Sequence, residues 1–270
     1  MNTGHFLALR IRAPGLLRRD KSQNMKREER EVLGIVGGLG PMASAEFLKT
    51  VYEYGIGENE QDAPVVLMYS DPTFPDRTDS FLAGEDELLL ERLTGALQSL
   101  SDAGASRFVI CCMTIHYLLP RLPVHLGARV VSLLDVIFDN LKPPRRHLLI
   151  CSNGTRRLEL FQNHRQWERH KSEIVLPDDD DQNKIHHELI YPIKKRPDFH
   201  RLKLFLETLL QRYEVDSFIA GCSEIHLLAK HFVVNGNGTD GYECLDPLTI
   251  IAREWDKSLS TDYTDSFLSV

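Results

Sequence analysis

The stretch "FVICCMTIH", Phe108–His116, runs from an aromatic residue through a short apolar segment into cysteine, threonine and histidine. A second stretch, "FIAGCSEIH", Phe218–His226, repeats the plan, with a histidine again four positions after a cysteine. A short apolar run that stops at small and polar residues reads as a buried strand. Each stretch is therefore a strand delivering a cysteine to the start of a helix. One such unit is ordinary. Two matched units predict two similar halves, not a solenoid of short repeats.

The surrounding sequence supports that division. Val32–Val36 reads as a strand closed by "GGLGPMA", with a helix from about Ser44 to Tyr54. Val65–Tyr69 is a second strand, ending in the loop "SDPTFPDRTD". Leu89, Leu93, Leu97 and Leu100 fall on one face of a helix expected from about Glu85 to Gly104. Phe108–Cys111 is the third strand, a helix follows Cys112, and Val130–Leu134 is a candidate fourth strand. "PPRR" at 143–146 then reads as a linker, after which His147–Cys151 opens a second cycle with the loop "SNGT". A helix from about Thr155, an acidic loop "PDDDD" at 177–181, helices near 183–194 and 198–213 and a strand at Phe218–Gly221 complete it. Short strands alternating with helices imply parallel sheets with crossover helices, an α/β fold. The expected boundaries are 31–142 for the first half and 143–235 for the second. Residues 236–270 form a C-terminal segment expected to pack back on the first half.

Composition bounds the remainder. The chain has 270 residues, 42% hydrophobic and 26% charged, enough for a large core or two smaller ones. Its apolar runs fall far short of the ~20 residues that span a bilayer. A formal net charge of −7 gives no global electrostatic case for nucleic acid. Five cysteines (Cys111, Cys112, Cys151, Cys222, Cys244) make an odd set without CxxC spacing, which fits reduced thiols and a cytoplasmic location. Residues 1–30 are Arg-rich and lack the apolar segment of a secretory signal, so they are expected to be a basic tail outside the fold. A transit peptide, or a working start at Met25, are the alternatives. "NGT" at 237–239 is a glycosylation sequon by letter only.

In an open parallel sheet, ligands bind beyond the C-terminal ends of the strands. Cys112 and Cys222 sit at such ends, where helix N-terminal amides favour a thiolate. Two halves packed about a pseudo-twofold axis would set the two sulfurs across one cleft. Ordinary burial accounts for Cys111, whose side chain points to the other face of its strand, and for Cys151 and Cys244. It accounts poorly for two cysteines in matched contexts. Cys112/His116 and Cys222/His226 are also C-x₃-H pairs, so a zinc site is a competing reading. It is disfavoured, because a residue one turn into the helix packs inward. "HHE" at 186–188 reads as solvated helix surface. Gly38-x-Gly40-x-x-Ala43 imitates a dinucleotide fingerprint, but no acidic residue follows at the usual spacing, and a nucleotide would leave the cysteines unexplained. The glycines, Gly38 among them, are instead expected to let the backbone approach a small substrate.

Taken together, "GIVGGLGPMA" (34–43), "DRT" (76–78), "CMTIHYLLP" (112–120), "NGT" (153–155), "IKK" (193–195) and "GCSEIHLL" (221–228) make a specific set. On these motifs the chain resembles the aspartate/glutamate racemase family, the cofactor-independent two-cysteine amino-acid racemases. The resemblance runs from about Val32 to Phe232. It implies two pseudo-symmetric Rossmann-like halves, a homodimer, a small amino-acid substrate, no cofactor, and neither nucleic-acid nor membrane partners. It also implies the chemistry. Racemisation needs a base on one face of Cα and an acid on the other, roles that Cys112 and Cys222 fill as thiolate and thiol. By the same resemblance Arg77 and Lys194 bind substrate carboxylate or favour the thiolate; Thr114 and Thr155 hydrogen-bond the carboxylate or are ordinary caps; and Glu224 or His116 either tunes the cysteines or makes structural hydrogen bonds.

Two departures matter. Met113 stands where the family has asparagine, removing an amide that would meet the substrate, and Asn153 is the candidate replacement donor. Ser223 replaces a commoner threonine and keeps the hydroxyl. Three functions therefore remain open at this stage. The first is racemisation of aspartate or glutamate. The second is another reaction of the superfamily, such as racemising a different substrate, isomerising a cis-diacid or decarboxylating a malonate. A decarboxylase needs only one cysteine, so the pair argues for two-sided proton transfer. The third is amino-acid binding without chemistry.

Overall fold

The computed structural model describes residues 31–195, 197–235 and 242–255. The basic tail expected over 1–30 and the sequon at 237–239 lie outside the described residues.

Two parallel sheets organise the chain. The first contains β1 (Val32–Gly37), β2 (Val65–Ser70) and β3 (Arg107–Ile110) in the order β2-β1-β3. The second contains β4 (His147–Cys151), β5 (Ile174–Val175), β6 (Ser217–Gly221) and β7 (Glu243–Leu245) in the order β5-β4-β6-β7. The strand order repeats between the halves. In each, the first strand is central, the second pairs on one side of it, and the third, which leads to a cysteine, pairs on the other. Ile35 lies beside Val109 in one sheet and Leu149 beside Ile219 in the other.

The α-helices of five or more described residues are α1 (Pro41–Gly55), α2 (Arg77–Ala83), α3 (Glu87–Asp102), α4 (Leu133–Asn140), α5 (Asn153–Arg157), α6 (Asp179–Lys184), α7 (Phe199–Arg212), α8 (Glu224–Asn235) and α9 (Pro247–Glu254). A 3₁₀ helix covers Thr114–Arg121 and a π turn covers Ile185–Ile190. α3 buries Leu89, Leu93, Leu97 and Leu100, the face its periodicity predicts.

Strand alternation sends residues to two cores. Leu33, Ile35, Val109 and Cys111 share one core with Leu149, Cys151 and Ile219 of the second sheet. Their neighbours Val36, Phe108, Ile110 and Cys112 point the other way, against the leucines of α3. Leu148, Ile150, Phe218, Ala220 and Cys222 do the same against α7 and the π turn. A pleat of period two is thus enough to put Cys111 inside and Cys112 at the opposite face. α9 and the Trp255 that follows it bury Leu248, Ile251, Ala252 and the Trp255 ring in the shared core, which also holds Phe47 and Val51 of α1.

Several local expectations need correction. Val130–Leu134 is not a strand: Val130 makes a single bridge to Phe108, and Ser132 accepts from the Asp135 amide at 3.2 Å, capping α4. "SNGT" is a helix start, because the Ser152 hydroxyl accepts from Thr155 N at 3.2 Å. The acidic loop likewise becomes α6, with Asp178 accepting from Asp181 N at 2.8 Å. Serine and aspartate do this readily, since their side-chain oxygens meet helix amides that have no partner within the helix.

Candidate active site

Cys112 follows β3 and precedes the 3₁₀ helix, and its amide donates to the Ile110 carbonyl at 2.8 Å. Cys222 follows β6 at the foot of α8, its carbonyl accepting from Ile225 N at 3.0 Å. The two cysteines are matched in exposure, 8% and 7%, both buried. Cys112 bears on the protonation of Cys222, and Glu224, the partner of Cys222, bears on Arg77, the partner of Cys112, which puts both thiols in one electrostatic environment.

Their neighbours differ in sign. Arg77 opens α2, whose cap is Asp76: its carboxylate accepts from Thr78 N at 2.8 Å and Asp79 N at 3.1 Å. The guanidinium is anchored by donating to the Pro75 carbonyl at 2.9 Å and to the Leu39 carbonyl. Burial opposes its charge, but the Cys112 sulfur, Asp76 and Glu224 more than offset this and hold Arg77 protonated. Cys222 instead donates from Sγ to Glu224 Oε2 at 2.9 Å. Glu224 Oε1 in turn lies 4.0 Å from Lys194 Nζ. Burial first, then the Glu224 carboxylate, push the Cys222 thiol well above its usual range, with Lys194 opposing. Burial also works against Lys194, whose charge Glu224 and Cys222 sustain. The Lys194 ammonium sits 4.5 Å from the centre of the Tyr191 ring, and the Tyr191 hydroxyl donates to Asp76 at 3.1 Å. Side chains from both halves thereby join the surroundings of the two thiols.

A hydroxyl cluster forms a second part of the site. Thr114 Oγ1 lies 3.0 Å from Ser152 Oγ and 2.9 Å from Thr155 Oγ1, all three residues being buried. Asn153 accepts from Gln182 at 3.2 Å and donates to Asn183 at 3.0 Å, while its amide donates to His186 Nδ1 at 3.2 Å. The expectation for "HHE" is therefore half wrong. His187 and Glu188 are exposed, but His186 is buried behind Asn153 and held down to about 4, first by burial, then by His187 and Lys194. The π turn shifts the register of that segment, so spacing alone misassigns its faces.

Met113 does not face the cleft. It is 1% exposed within the shared core, beside Leu33 and Ile35. Gly38 is placed by its backbone: φ is +85°, and a Cβ there would collide with the backbone of Asp71. At Gly40 the space a Cβ would take is filled by Glu224 Oε1, and at Gly154 it lies 2.7 Å from Thr78 Oγ1 and 3.1 Å from Thr114 Cγ2.

Both candidate zinc histidines are already engaged. His116 Nε2 accepts from Leu133 N at 3.1 Å, so Nδ1 carries the proton and donates to the Cys112 carbonyl at 2.9 Å. His226 holds Asp246 through Nδ1 at 2.6 Å and Thr50 through Nε2 at 3.1 Å. Among the described residues no group of three or more His, Cys, Asp or Glu side chains is arranged to hold a metal ion.

Sequence reading gave no role to Ser152, Asp76, Tyr191 and Gln182, and placed His186 on the solvated surface. The first two carried a usable signal as caps, Ser152 three residues before Thr155 and Asp76 immediately before Arg77. Gln182 and His186 arrive from distant sequence and carried none.

Residues 36–254 match the family model for Asp/Glu/Hydantoin racemase. The broad specificity amino-acid racemase RacX of Bacillus subtilis is 22% identical over 231 residues, covering 81% of this chain and 96% of that protein. Among solved structures, the aspartate racemase of Picrophilus torridus superposes with a TM-score of 0.69 at 20% identity, over 82% of this chain and 91% of that one. An aspartate racemase homologue from Pyrococcus horikoshii gives 0.59 at 20% identity, over 83% and 96%. At these identities the structural likeness is one of fold.

Proposed function

The chain belongs to the Asp/Glu/hydantoin racemase family, and on that premise we propose that it is an amino-acid racemase that works without a cofactor, interconverting the enantiomers of aspartate or glutamate by proton transfer between Cys112 and Cys222. The observation that carries this reading is the matched pair of thiols, each at the end of the third strand of its sheet and each beside a charged partner. A thiolate on one face of Cα removes the proton and a thiol on the other returns one, so the product has the opposite hand. The intermediate carbanion needs its charge drawn onto the α-carboxylate by donors fixed in advance. The hydroxyls of Thr114, Ser152 and Thr155, the second Nδ2 proton of Asn153 and the cations Arg77 and Lys194 are the donors available. Two cations suit a substrate with two carboxylates.

Proton NMR in D₂O tests it. The purified protein, with chelator and no added cofactor, is mixed with L- and then D-aspartate and glutamate, and with other amino acids because the curated relative is named for broad specificity. The Cα–H signal is expected to disappear with at least one of the two diacids. Cys112→Ser and Cys222→Ser should each cut the rate at least about a hundredfold, the scale of losing a positioned acid or base. A Cα–H signal that persists with every amino acid would overturn the proposal. Exchange confined to amino acids other than aspartate and glutamate would overturn the substrate assignment alone.

A further inference from the structure

The two thiols do not have equivalent surroundings, and the difference lies in one side chain. Glu224 Oε2 is 2.9 Å from Cys222 Sγ, so a thiol there can donate to the carboxylate while a thiolate would face a like charge. Ser223 Oγ donates to the same oxygen at 3.3 Å, and Lys194 approaches the other at 4.0 Å. The carboxylate thus accepts from two donors, one of them the thiol, and has a cation beside it. The fold reserves its place, since Gly40 leaves open the volume that Glu224 Oε1 occupies. Cys112 is faced instead by the guanidinium of Arg77, which stabilises negative charge on sulfur.

We infer that Glu224 is a positioning residue that presets the polarity of the pair, keeping the resting proton on Cys222 and leaving Cys112 to be the first base. The groups facing Cys222 are Glu224 from its own helix, Lys194 from the end of the segment after the π turn, and Cys112 from the opposite half. Of these, Lys194 alone favours the thiolate.

The consequence for turnover rests on the proposed racemase reading, although the protonation order belongs to the free protein. In the first half-reaction the Cys112 thiolate takes the Cα proton and becomes a thiol. The Cys222 thiol gives its proton to the opposite face and becomes a thiolate, now beside a carboxylate. That product form is the less stable one. It returns to rest when Cys222 regains a proton and Cys112 releases one, through solvent or by running the reaction backward. One enantiomer therefore meets the ready form of the protein and the other meets the minor form.

Alkylation of the full chain by iodoacetamide, followed against pH and read peptide by peptide by mass spectrometry, tests the order without any substrate. The midpoint of each pH profile reports protonation, whereas differences in access change its height. Cys112 should become reactive at lower pH than Cys222. Glu224→Gln should bring the Cys222 midpoint down by one pH unit or more and leave that of Cys112 in place. Lys194→Met, at a partly exposed position, should move the Cys222 midpoint the other way. A loss of structure would not mimic this pair of opposite shifts. Cys222 reacting ahead of Cys112, or a Glu224→Gln profile superimposed on the wild type, would overturn the inference. The preset order found without any Cα–H exchange would instead count against the racemase reading alone.

Discussion

At the scale of single residues, Gly38 and Met113 show how one position can be legible in type and illegible in purpose. The glycine run suggested close approach to a substrate. Gly38 has a sufficient reason of its own, a φ of +85° with the Asp71 backbone where a Cβ would sit. Its amide also donates to Ser44 Oγ at 3.3 Å, fixing the turn into α1. Gly38→Ala should therefore destabilise the fold by about 1–3 kcal/mol from backbone strain alone, with the collision adding to that. A urea midpoint measured beside the wild type checks this, and an unchanged midpoint would show that the turn relaxes freely. Loss of activity in that variant would not by itself mark a substrate contact. Met113 is the converse case. Its departure from the family pattern drew attention to the cleft, yet its side chain lies in the core.

At the scale of elements, His116 explains why a histidine follows Cys112. It ties the 3₁₀ helix to α4 by bridging the Cys112 carbonyl and the Leu133 amide, which requires a neutral ring. Burial holds it down to about 4, against an ordinary value of 6.5. Between those values the unfolded chain binds the proton and the folded chain does not, so stability rises with pH and falls as pH drops from 6.5 toward 4. The full effect is about 3 kcal/mol. His186, also held near 4, acts in the same direction. Urea unfolding at pH 7 and pH 5 should show wild-type stability falling with acid, and His116→Gln should lose part of that slope. Equal slopes in the two proteins would remove His116 from the account.

At the scale of the whole molecule, a buried polar cluster fastens the chain's last described helix to its first. Asp246 caps α9 by accepting from Leu248 N at 3.1 Å, takes the Thr249 hydroxyl at 2.6 Å, and holds His226 of α8 at 2.6 Å. His226 reaches Thr50 of α1 at 3.1 Å. Removing one member leaves a buried partner unmatched, so Asp246→Ala should cost about 3–5 kcal/mol. Chemical denaturation measures this, and a loss below 1 kcal/mol would show that water or rearrangement satisfies His226. The second histidine of the repeated motif is thus a fastener between helices, as the first is between a 3₁₀ helix and α4.

The α/β class, the two-sheet plan and the two strand-end cysteines were readable because they depend on local chemistry. A pleat of period two, a leucine stripe on α3 and a cysteine after an apolar run are written in neighbouring letters. The short strands β5 and β7 escaped notice because two or three residues carry too little periodicity to register. Tertiary structure alone decided which side of the pair keeps its proton. Glu224 is written two residues after Cys222, but whether its carboxylate turns onto that sulfur, and which of the sequence-remote cations Arg77 and Lys194 stands beside each thiol, depends on the folded chain. Electrostatic interaction falls with distance and strengthens with burial, and neither quantity exists until the two halves have closed on each other.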